Sequence, residues 1–358
     1  MSVVSYKCPN CGGDLGFDPE SQKLKCDYCF SSFNEHELEV LKTEQNYTAS
    51  GDEVIEDDSD INHTEGTTML YTCPSCGAQI VTDEVTAATL CCYCHNPVIF
   101  SKQLSDEFKP SKVIPFKKSK QQALDTFLAW RKKKHFLPDD FSSPSQLEKM
   151  TGIYIPYWLV DCDTSGYMRA TGKKIKSWTS GGYRYTQTDI YAISRAASMS
   201  FNYLPHDASK KADDQVMESI GPYNYDDLES FSYSYLTGFI AEKYDVDKET
   251  IYPTIKARVE RAVEAELRHS IHGYTTTAVG SRNVKVHRTR FHYTLMPVWL
   301  LTYIYKGQTY LFAMNGQTGK TFGSLPVCSK KLNILCLWVF FITFIIVFFV
   351  LAYTGGLA

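Results

Sequence analysis

Eight of the twelve cysteines follow one spacing that occurs twice in the chain. Each set reads C-x2-C-x14-C-x2-C, and the second set repeats the first 65 positions later. A C-x-x-C pair at a tight turn offers two thiolates to one metal ion, and a second pair completes a tetrahedron of sulfurs. The pattern therefore predicts two structural Zn²⁺ ions in two zinc ribbons, with the ligands Cys8, Cys11, Cys26 and Cys29, then Cys73, Cys76, Cys91 and Cys94.

The repeat also shows which cysteine of the second set is not a metal ligand. Cys92 aligns with Asp27 of the first copy, so Cys92 is predicted not to bind metal. Gly12 and Gly77 follow the second cysteine of each copy, where a positive φ turns backbone N–H groups toward the thiolates. Disulfides are the alternative for these cysteines, but no secretory signal precedes them. A rubredoxin-like iron site would use the same four sulfurs as zinc.

The C-terminal segment 332–352 carries no charge and is apolar except for Asn333 and Thr343. About 20 apolar residues in a helix cross a bilayer core of about 30 Å, so the segment predicts one transmembrane helix. Lys330 and Lys331 end a basic juxtamembrane segment, 328–331, and the tail 353–358 has no charged side chain. The positive-inside rule then predicts a single-pass, tail-anchored protein of the cell membrane with a cytoplasmic N-terminus and a short extracytoplasmic tail.

The rest of the chain has an acidic N-terminal part and a basic central part. Residues 1–66 hold 4 Lys against 15 Asp and Glu, whereas residues 105–331 hold 32 basic against 23 acidic residues. Few apolar residues lie between the two cysteine sets, which is typical of a flexible spacer. The predicted order is zinc ribbon 1 (1–40), an acidic flexible linker (41–66), zinc ribbon 2 (67–104) and a central α+β domain (105–327).

Apolar periodicity predicts the elements of the central domain. A helix should begin after Ser119 and end in the basic run Arg131 to Lys134, and a second should begin near Pro253. Two segments share the signature P-x-W-L, at 156–159 and 297–300, and each is predicted to lead into a β-hairpin of one antiparallel sheet. The multidomain chain thus combines two four-cysteine zinc ribbons, an α+β body and one membrane helix.

The sequence contains no catalytic motif with the residue spacing that its chemistry requires. The segment N-G-Q-T-G-K-T at 315–321 has two residues between its glycines where a phosphate-binding loop needs four, and no helix pattern follows. No histidine has a partner carboxylate at a definable spacing, so we assign no catalytic residue and no small-molecule substrate, and we predict that the chain is not an enzyme. Nucleic-acid binding is the competing hypothesis for a zinc ribbon, but acidic ribbons would be repelled by phosphates.

Several motifs together carry a resemblance that extends over nearly the whole chain. They are the tandem C-P-x-C-G ribbons, V-I-P-F at 113–116, G-I-Y-I-P-Y-W-L from Gly152, G-F-I-A-E-K-Y-D from Gly238, and M-P-V-W-L from Met296 followed by N-G-Q-T-G-K. In this order, with a C-terminal span, the sequence resembles a bacterial family of membrane proteins with transcription factor IIB-type zinc ribbons. Members of that family are often labelled as relatives of the primosomal helicase PriA.

The resemblance implies a non-enzymatic membrane adaptor or scaffold. It implies a gene near those of phage-shock-type membrane-stress proteins and flotillin-like proteins, which the adaptor would help bring to the membrane. Functional residues carry over only for the eight cysteine ligands. The helicase label does not carry over, because the nucleotide site that a helicase requires is absent from this sequence. A membrane-tethered, nucleic-acid-binding regulator remains the alternative function.

Overall fold

The computed structural model of the chain describes residues 3–4, 6–38, 68–73, 79–83, 85–91, 97–100, 104, 108–134, 136–138 and 149–353. The predicted acidic linker, Cys76, Cys92, Cys94 and the tail beyond Tyr353 lie outside these described residues.

Strands dominate the described chain. In order they are β1 (Val3–Val4), β2 (Leu15–Asp18), β3 (Lys23–Cys26), β4 (Ser32–Phe33), β5 (Thr68–Thr72), β6 (Gln79–Asp83), β7 (Thr86–Leu90), β8 (Pro97–Phe100), β9 (Lys112–Val113), β10 (Thr151–Ser180), β11 (Tyr183–Asp207), β12 (Glu229–Ser230), β13 (Ile240–Glu242), β14 (Thr276–Tyr305), β15 (Gln308–Asn315) and β16 (Thr321–Gly323). The helices are α1 (Lys120–Lys132), α2 (Asp214–Ile220), α3 (Lys248–His269) and α4 (Ser329–Tyr353). Two 3₁₀ turns span Tyr225–Asp227 and Tyr233–Leu236.

One large sheet organises the central body. Its order is β1-β8-β7-β13-β10-β14-β15-β16, with β11 beside β10, and with β9 between β12 and β14. All these pairs are antiparallel except β10 with β13 and β14 with β9. Smaller sheets are formed by β2-β3-β4 and by β5-β6. A sheet-rich α+β body with mainly antiparallel pairing is therefore confirmed.

The two P-x-W-L segments lie side by side at the centre of this sheet. Tyr154 of β10 pairs with Pro297 of β14, and Pro156 pairs with Leu295. The buried Phe116 of the V-I-P-F motif stacks on Phe239 with 4.2 Å between ring centroids, and it meets Trp299 edge-on. The predicted hairpins also form, because β10 leads into β11 and β14 into β15.

Three strands continue far beyond the body as a long ribbon. We call residues 163–200 and 276–290, from β10, β11 and β14, the arm. Thirty residues of β10 at about 3.3 Å each extend roughly 100 Å along the strand. Its tip is the two-residue turn Gly181-Gly182, whose φ angles of +59° and +81° suit glycine and match the twist of a hairpin.

The helices follow the predicted patterns with one correction. Ser119 caps α1 in a capping box with Gln122, as the sequence indicates. The helix that the sequence predicts near Pro253 is α3. It begins at Lys248, so Pro253 lies inside it. The start signal is Asp247 at the N-cap position, which the sequence prediction missed. Of the apolar positions predicted on this helix, Ile255, Val259, Val263 and Leu267 pack in the core, whereas Ile271 lies beyond the end of α3 at His269.

The helix α4 contains the predicted membrane segment and begins three residues earlier, at Ser329. Residues Ser329–Val350 are long and apolar enough to cross a membrane, and none of this window is buried in the protein. Where the chain enters α4, the Cys328 backbone N–H donates to the Phe136 carbonyl at 2.7 Å. The Lys331 ammonium donates to the Leu137 carbonyl at 2.8 Å. The entry to α4 is therefore fixed to the segment that follows α1.

The carboxyl group of Asp207, at the end of β11, gives the body a pH dependence. Burial, with repulsion from Asp214, raises the pKa of Asp207 to about 6. The folded state therefore retains a proton that the unfolded chain releases near pH 4, so this contribution to stability is present below pH 4 and is lost as the pH rises through 6. We expect Asp207→Asn to raise the free energy of unfolding at pH 7 by roughly 2 kcal/mol and to match wild type near pH 4. Denaturant unfolding at pH 7 and pH 4 would measure this, with Asp226→Asn at an exposed position as the control. An Asp207→Asn variant whose free energy of unfolding at pH 7 does not rise would contradict the prediction.

Candidate metal centre

The first cysteine set lies in a small three-stranded unit, residues 6–38, which we call ribbon 1. Strands β2 and β3 form its hairpin, and Lys7 bridges Asp14 beside it. Each C-x-x-C pair sits in a tight turn: the Gly12 N–H donates to the Cys8 carbonyl at 2.8 Å, and the Phe30 N–H donates to the Cys26 carbonyl at 2.9 Å. Gly12 has a φ of +73°, as predicted from its place after Cys11. Two such turns face each other at one end of the hairpin.

The four sulfurs of this set converge. The ligand atoms of Cys8, Cys11, Cys26 and Cys29 all lie within 4.8 Å of one another. The Sγ atoms are 3.5 Å apart for Cys8 and Cys29, and 3.5 Å apart for Cys11 and Cys26. A tetrahedron of sulfurs at about 2.3 Å from zinc has edges of about 3.8 Å, so this donor set fits a Zn²⁺ ion with little rearrangement. The group could bind a metal ion, and its all-thiolate chemistry suits both zinc and iron.

Local hydrogen bonds prepare this cluster for ionisation. The hydroxyl and backbone N–H of Ser31 lower the pKa of Cys29 to about 6. The Gly13 N–H also favours the Cys11 thiolate, but the neighbouring Cys26 and Cys29 raise the pKa of Cys11 above its ordinary value. The Cys29 thiol therefore ionises more readily than an ordinary cysteine, whereas the Cys11 thiol holds its proton more strongly. A bound cation would supply the charge that four adjacent thiolates require.

The second set is described only in part. Cys73 follows β5 and Cys91 follows β7, and both side chains are buried in one cluster with Tyr71, Val98 and Phe100. Tyr71 and Phe100 stack with 3.8 Å between ring centroids. Two strands lie between the C-x-x-C pairs and one strand follows the second pair, as in ribbon 1. Because Cys76 and Cys94 lie outside the described residues, the second predicted zinc site stays a prediction.

Ribbon 1 is fixed to the central body, which differs from the sequence interpretation of a module on a flexible tether. The Phe17 N–H donates to the Thr237 carbonyl at 2.9 Å, and the Gln22 side-chain amide donates to the Phe116 carbonyl at 2.7 Å. Glu35 accepts hydrogen bonds from Ser232 and Ser234 of the body. A ribbon this small has no sufficient core of its own, so it buries its apolar side chains on a larger neighbour.

The region of the second set is also joined to the body. Ala241 of β13 pairs with Ala88 of β7, and β8 pairs on its other side with β1. The strands that frame both cysteine sets therefore contact the main sheet or its core.

Ribbon 1 exposes two aromatic side chains beside its four-cysteine cluster. Tyr28 is 77% exposed and Phe30 is 73% exposed, on either side of Cys29. Phe30 has a φ of +59°, a left-handed conformation that a bulky residue rarely adopts. Backbone strain of this kind concentrates at functional sites. The sequence prediction missed both residues, although two aromatic residues within a predicted metal turn were a visible signal.

The glycine-rich turn between β15 and β16 is not a phosphate site. Asn315 turns its side chain inward and accepts hydrogen bonds from the Gln317 and Thr318 N–H groups at 2.9 Å each. Those N–H groups are therefore already paired within the turn, and β16 rather than a helix follows. This agrees with the rejection of a nucleotide loop on sequence grounds.

Sequence similarity to a known protein extends over most of the chain. The chain is 33% identical over 329 residues to the uncharacterized protein YdjG of Bacillus subtilis (strain 168), and the match covers 92% of each chain. The chain belongs to the YdjG family. A match of this length includes the whole central body, so the YdjG family shares the organisation of the chain rather than one module. No family profile matches the chain, and no solved structure matches it significantly.

Proposed function

We propose that this protein is a non-enzymatic adaptor that α4 holds in the cell membrane, with the N-terminus in the cytoplasm. Ribbon 1 and a second four-cysteine ribbon each bind a structural Zn²⁺ ion, and their surfaces recruit membrane-associated proteins to the bilayer. Proteins of the phage-shock or flotillin type are the partners that the resemblance suggests.

The pair Tyr28 and Phe30 carries this proposal. Large aromatic side chains that are mostly exposed on a rigid turn are typical of the anchors that dominate protein–protein binding. The metal fixes the turn on one side, and the contacts of Phe17, Gln22 and Glu35 fix ribbon 1 on the body. The two rings are thereby presented to a partner in a preorganised position, which lowers the entropy cost of binding.

The surroundings of α4 support the membrane part of the proposal. The basic run Arg131 to Lys134 ends α1, and Phe136 and Leu137 then contact Cys328 and Lys331 at the start of α4. The basic run Arg131 to Lys134 and the basic juxtamembrane segment 328–331 therefore lie at the same end of the body. Basic side chains near an anionic leaflet contribute about 1 kcal/mol each, so this end is suited to lie on the cytoplasmic surface.

A substitution of the two rings tests the adaptor function without removing the metal. We expect Tyr28→Ser with Phe30→Ser to keep the metal content and the membrane anchoring of wild type. Recovery of partner proteins in a crosslinked, detergent-solubilised pull-down from the native membrane should fall at least about tenfold, because loss of two anchor residues costs about 2 kcal/mol or more. The measurement quantifies co-purified proteins and nucleic acid together.

The control is Tyr167→Ser, which removes another exposed aromatic residue that lies on the arm and not on ribbon 1. Unchanged recovery of proteins in the Tyr28 and Phe30 variant would contradict the proposal. Recovery of DNA or RNA that depends on ribbon 1 would instead favour the alternative, a nucleic-acid-binding regulator tethered to the membrane.

A further inference from the structure

The outer end of the arm is uncovered on both faces. Helix α3 packs on the arm as far as Gly166, so closely that a side-chain Cβ atom at position 166 would lie only 2.6 Å from Val263. Farther along the arm, the ring of Tyr274 covers Gly172. Up to that level the arm has buried side chains, among them Met168, Ala170 and Ile193. From there on, all of residues 173–188 are exposed. We call residues 173–191 the distal hairpin.

Apolar side chains are concentrated on this uncovered hairpin. Six large apolar residues are 40% to 72% exposed: Ile175, Trp178, Tyr183, Tyr185, Ile190 and Tyr191. Trp178 pairs with Tyr185 across the strands, and their rings stack with centroids 5.7 Å apart. Contiguous exposed apolar surface of this kind marks a binding site. Cross-strand stacking accounts for Trp178 and Tyr185 in part, but the four other large apolar side chains also remain exposed.

The apolar residues lie on both faces of the hairpin. Directly paired residues share a face, so Trp178, Tyr183, Tyr185 and Tyr191 occupy one face, whereas Ile175 and Ile190 occupy the other. A single nucleic-acid strand would stack on the aromatic face only and would leave Ile175 and Ile190 uncovered. A medium that surrounds the tip on all sides can accept both faces, and the interfacial layer of a bilayer is such a medium.

The positive net charge of the arm favours binding to an anionic surface. The arm carries ten basic residues, namely Arg169, Lys173, Lys174, Lys176, Arg184, Arg195, Arg282, Lys285, Arg288 and Arg290, against the two acidic residues Asp163 and Asp189. On the distal hairpin, Lys174 lies over the rings of Tyr191 and Tyr274 at 5.5 Å and 5.6 Å from their centroids. Tyr and Trp at the level of lipid headgroups, with Lys and Arg reaching the phosphates, is the usual composition of membrane-contacting protein surfaces.

We propose that the distal hairpin is a membrane-contacting element that places Trp178, Tyr183 and Tyr185 in the headgroup layer of an anionic bilayer. The chain enters α4 beyond β16, and Gly323 of β16 lies level with Leu301 of β14, at the other end of β10 from the tip. The hairpin therefore makes a second contact with lipid roughly 100 Å along the sheet from the first. This contact goes beyond the adaptor function and does not depend on either ribbon.

Fluorescence of Trp178 in the full-length protein tests the proposal. Trp338 lies in α4, so the experiment uses a Trp338→Phe background, in which the other tryptophans belong to the folded body. The protein is reconstituted in vesicles of phosphatidylcholine alone or mixed with phosphatidylglycerol, each with and without brominated acyl chains. We expect the brominated lipid to quench Trp178 in the anionic vesicles only. The added variant Trp178→Phe, which lacks the reporter, should lose this quenching.

Substitution of basic residues on the distal hairpin tests whether Trp178 is quenched because the hairpin binds anionic lipid. We expect Lys174→Gln with Lys176→Gln and Arg184→Gln to reduce the quenched fraction of Trp178 at least about tenfold, because three basic residues leave the anionic surface. Lys248→Gln with Lys256→Gln and Arg261→Gln on exposed positions of α3 is the matched control and should have no effect. Absence of quenching in anionic vesicles would overturn the proposal. Binding of a single-stranded oligonucleotide at Trp178 in place of lipid contact would also overturn it.

Discussion

Serine in place of both Cys26 and Cys29 is expected to abolish metal binding by the first cysteine set and to unfold ribbon 1. The two substitutions remove half of a four-sulfur site whose Sγ atoms lie within 4.8 Å of one another. Structural zinc contributes about 10–16 kcal/mol to small domains of this type, far more than the few contacts that otherwise hold residues 6–38 together. The buried Leu15, Phe17 and Leu24 should become accessible to solvent, since their position depends on the two metal turns.

Metal analysis and hydrogen exchange would measure this effect. The variant should bind one metal ion fewer than wild type, and the amides of β2 and β3 should lose protection while those of β10 and β14 keep it. Cys328→Ser with Cys336→Ser is the matched control, because these cysteines lie outside both sets. A variant that keeps its full metal content and its protected β2 and β3 would refute the metal site.

Arginine in place of both Phe341 and Phe344 is expected to release the protein from the membrane. Both side chains lie near the middle of α4 and are more than half exposed. Moving an arginine to the centre of a transmembrane helix costs about 3 kcal/mol on insertion scales, and the loss of each phenylalanine adds a few tenths. The pair should therefore oppose insertion by roughly 6 kcal/mol.

Flotation of vesicles and alkaline extraction of membranes would show whether the chain is inserted. Wild type and the conservative variant Phe341→Leu with Phe344→Leu should float with the lipid and resist extraction. The arginine variant should remain in the aqueous fraction or aggregate. Full retention of that variant in extracted membranes would mean that α4 does not span the bilayer, and the anchoring part of the proposed function would fail.

Local signals in the sequence determined the elements that depend on short-range chemistry. The spacing of Cys8, Cys11, Cys26 and Cys29 predicted one convergent site, because a C-x-x-C turn leaves little freedom to the sulfurs. The Ser119 cap predicted α1, and the run of apolar residues predicted the core of α4. The P-x-W-L segments predicted strands of one sheet. In each case the information lies within a short stretch of sequence.

The start of α3 shows where local signals conflict. Pro253 is a common first residue of a helix, so it attracted the predicted start, whereas Asp247 is the residue at the N-cap. Packing of Ile251 and Ile255 on the body extends the helix through the proline. Tertiary contacts therefore outweigh the cost of one missing backbone hydrogen bond.

The sequence alone thus determined the four-cysteine cluster of ribbon 1, the long apolar C-terminal helix and the sheet-rich class of the body. Only the tertiary structure decided that ribbon 1 is fixed to the body, since Phe17 and Glu35 meet partners far along the chain, at Thr237 and Ser234. It also decided that Tyr183, Tyr185 and Tyr191 are exposed, although tyrosine is enriched in half-buried strands. Strand periodicity shows which residues share a face, but whether another element covers that face depends on where α3 ends, which no local pattern encodes.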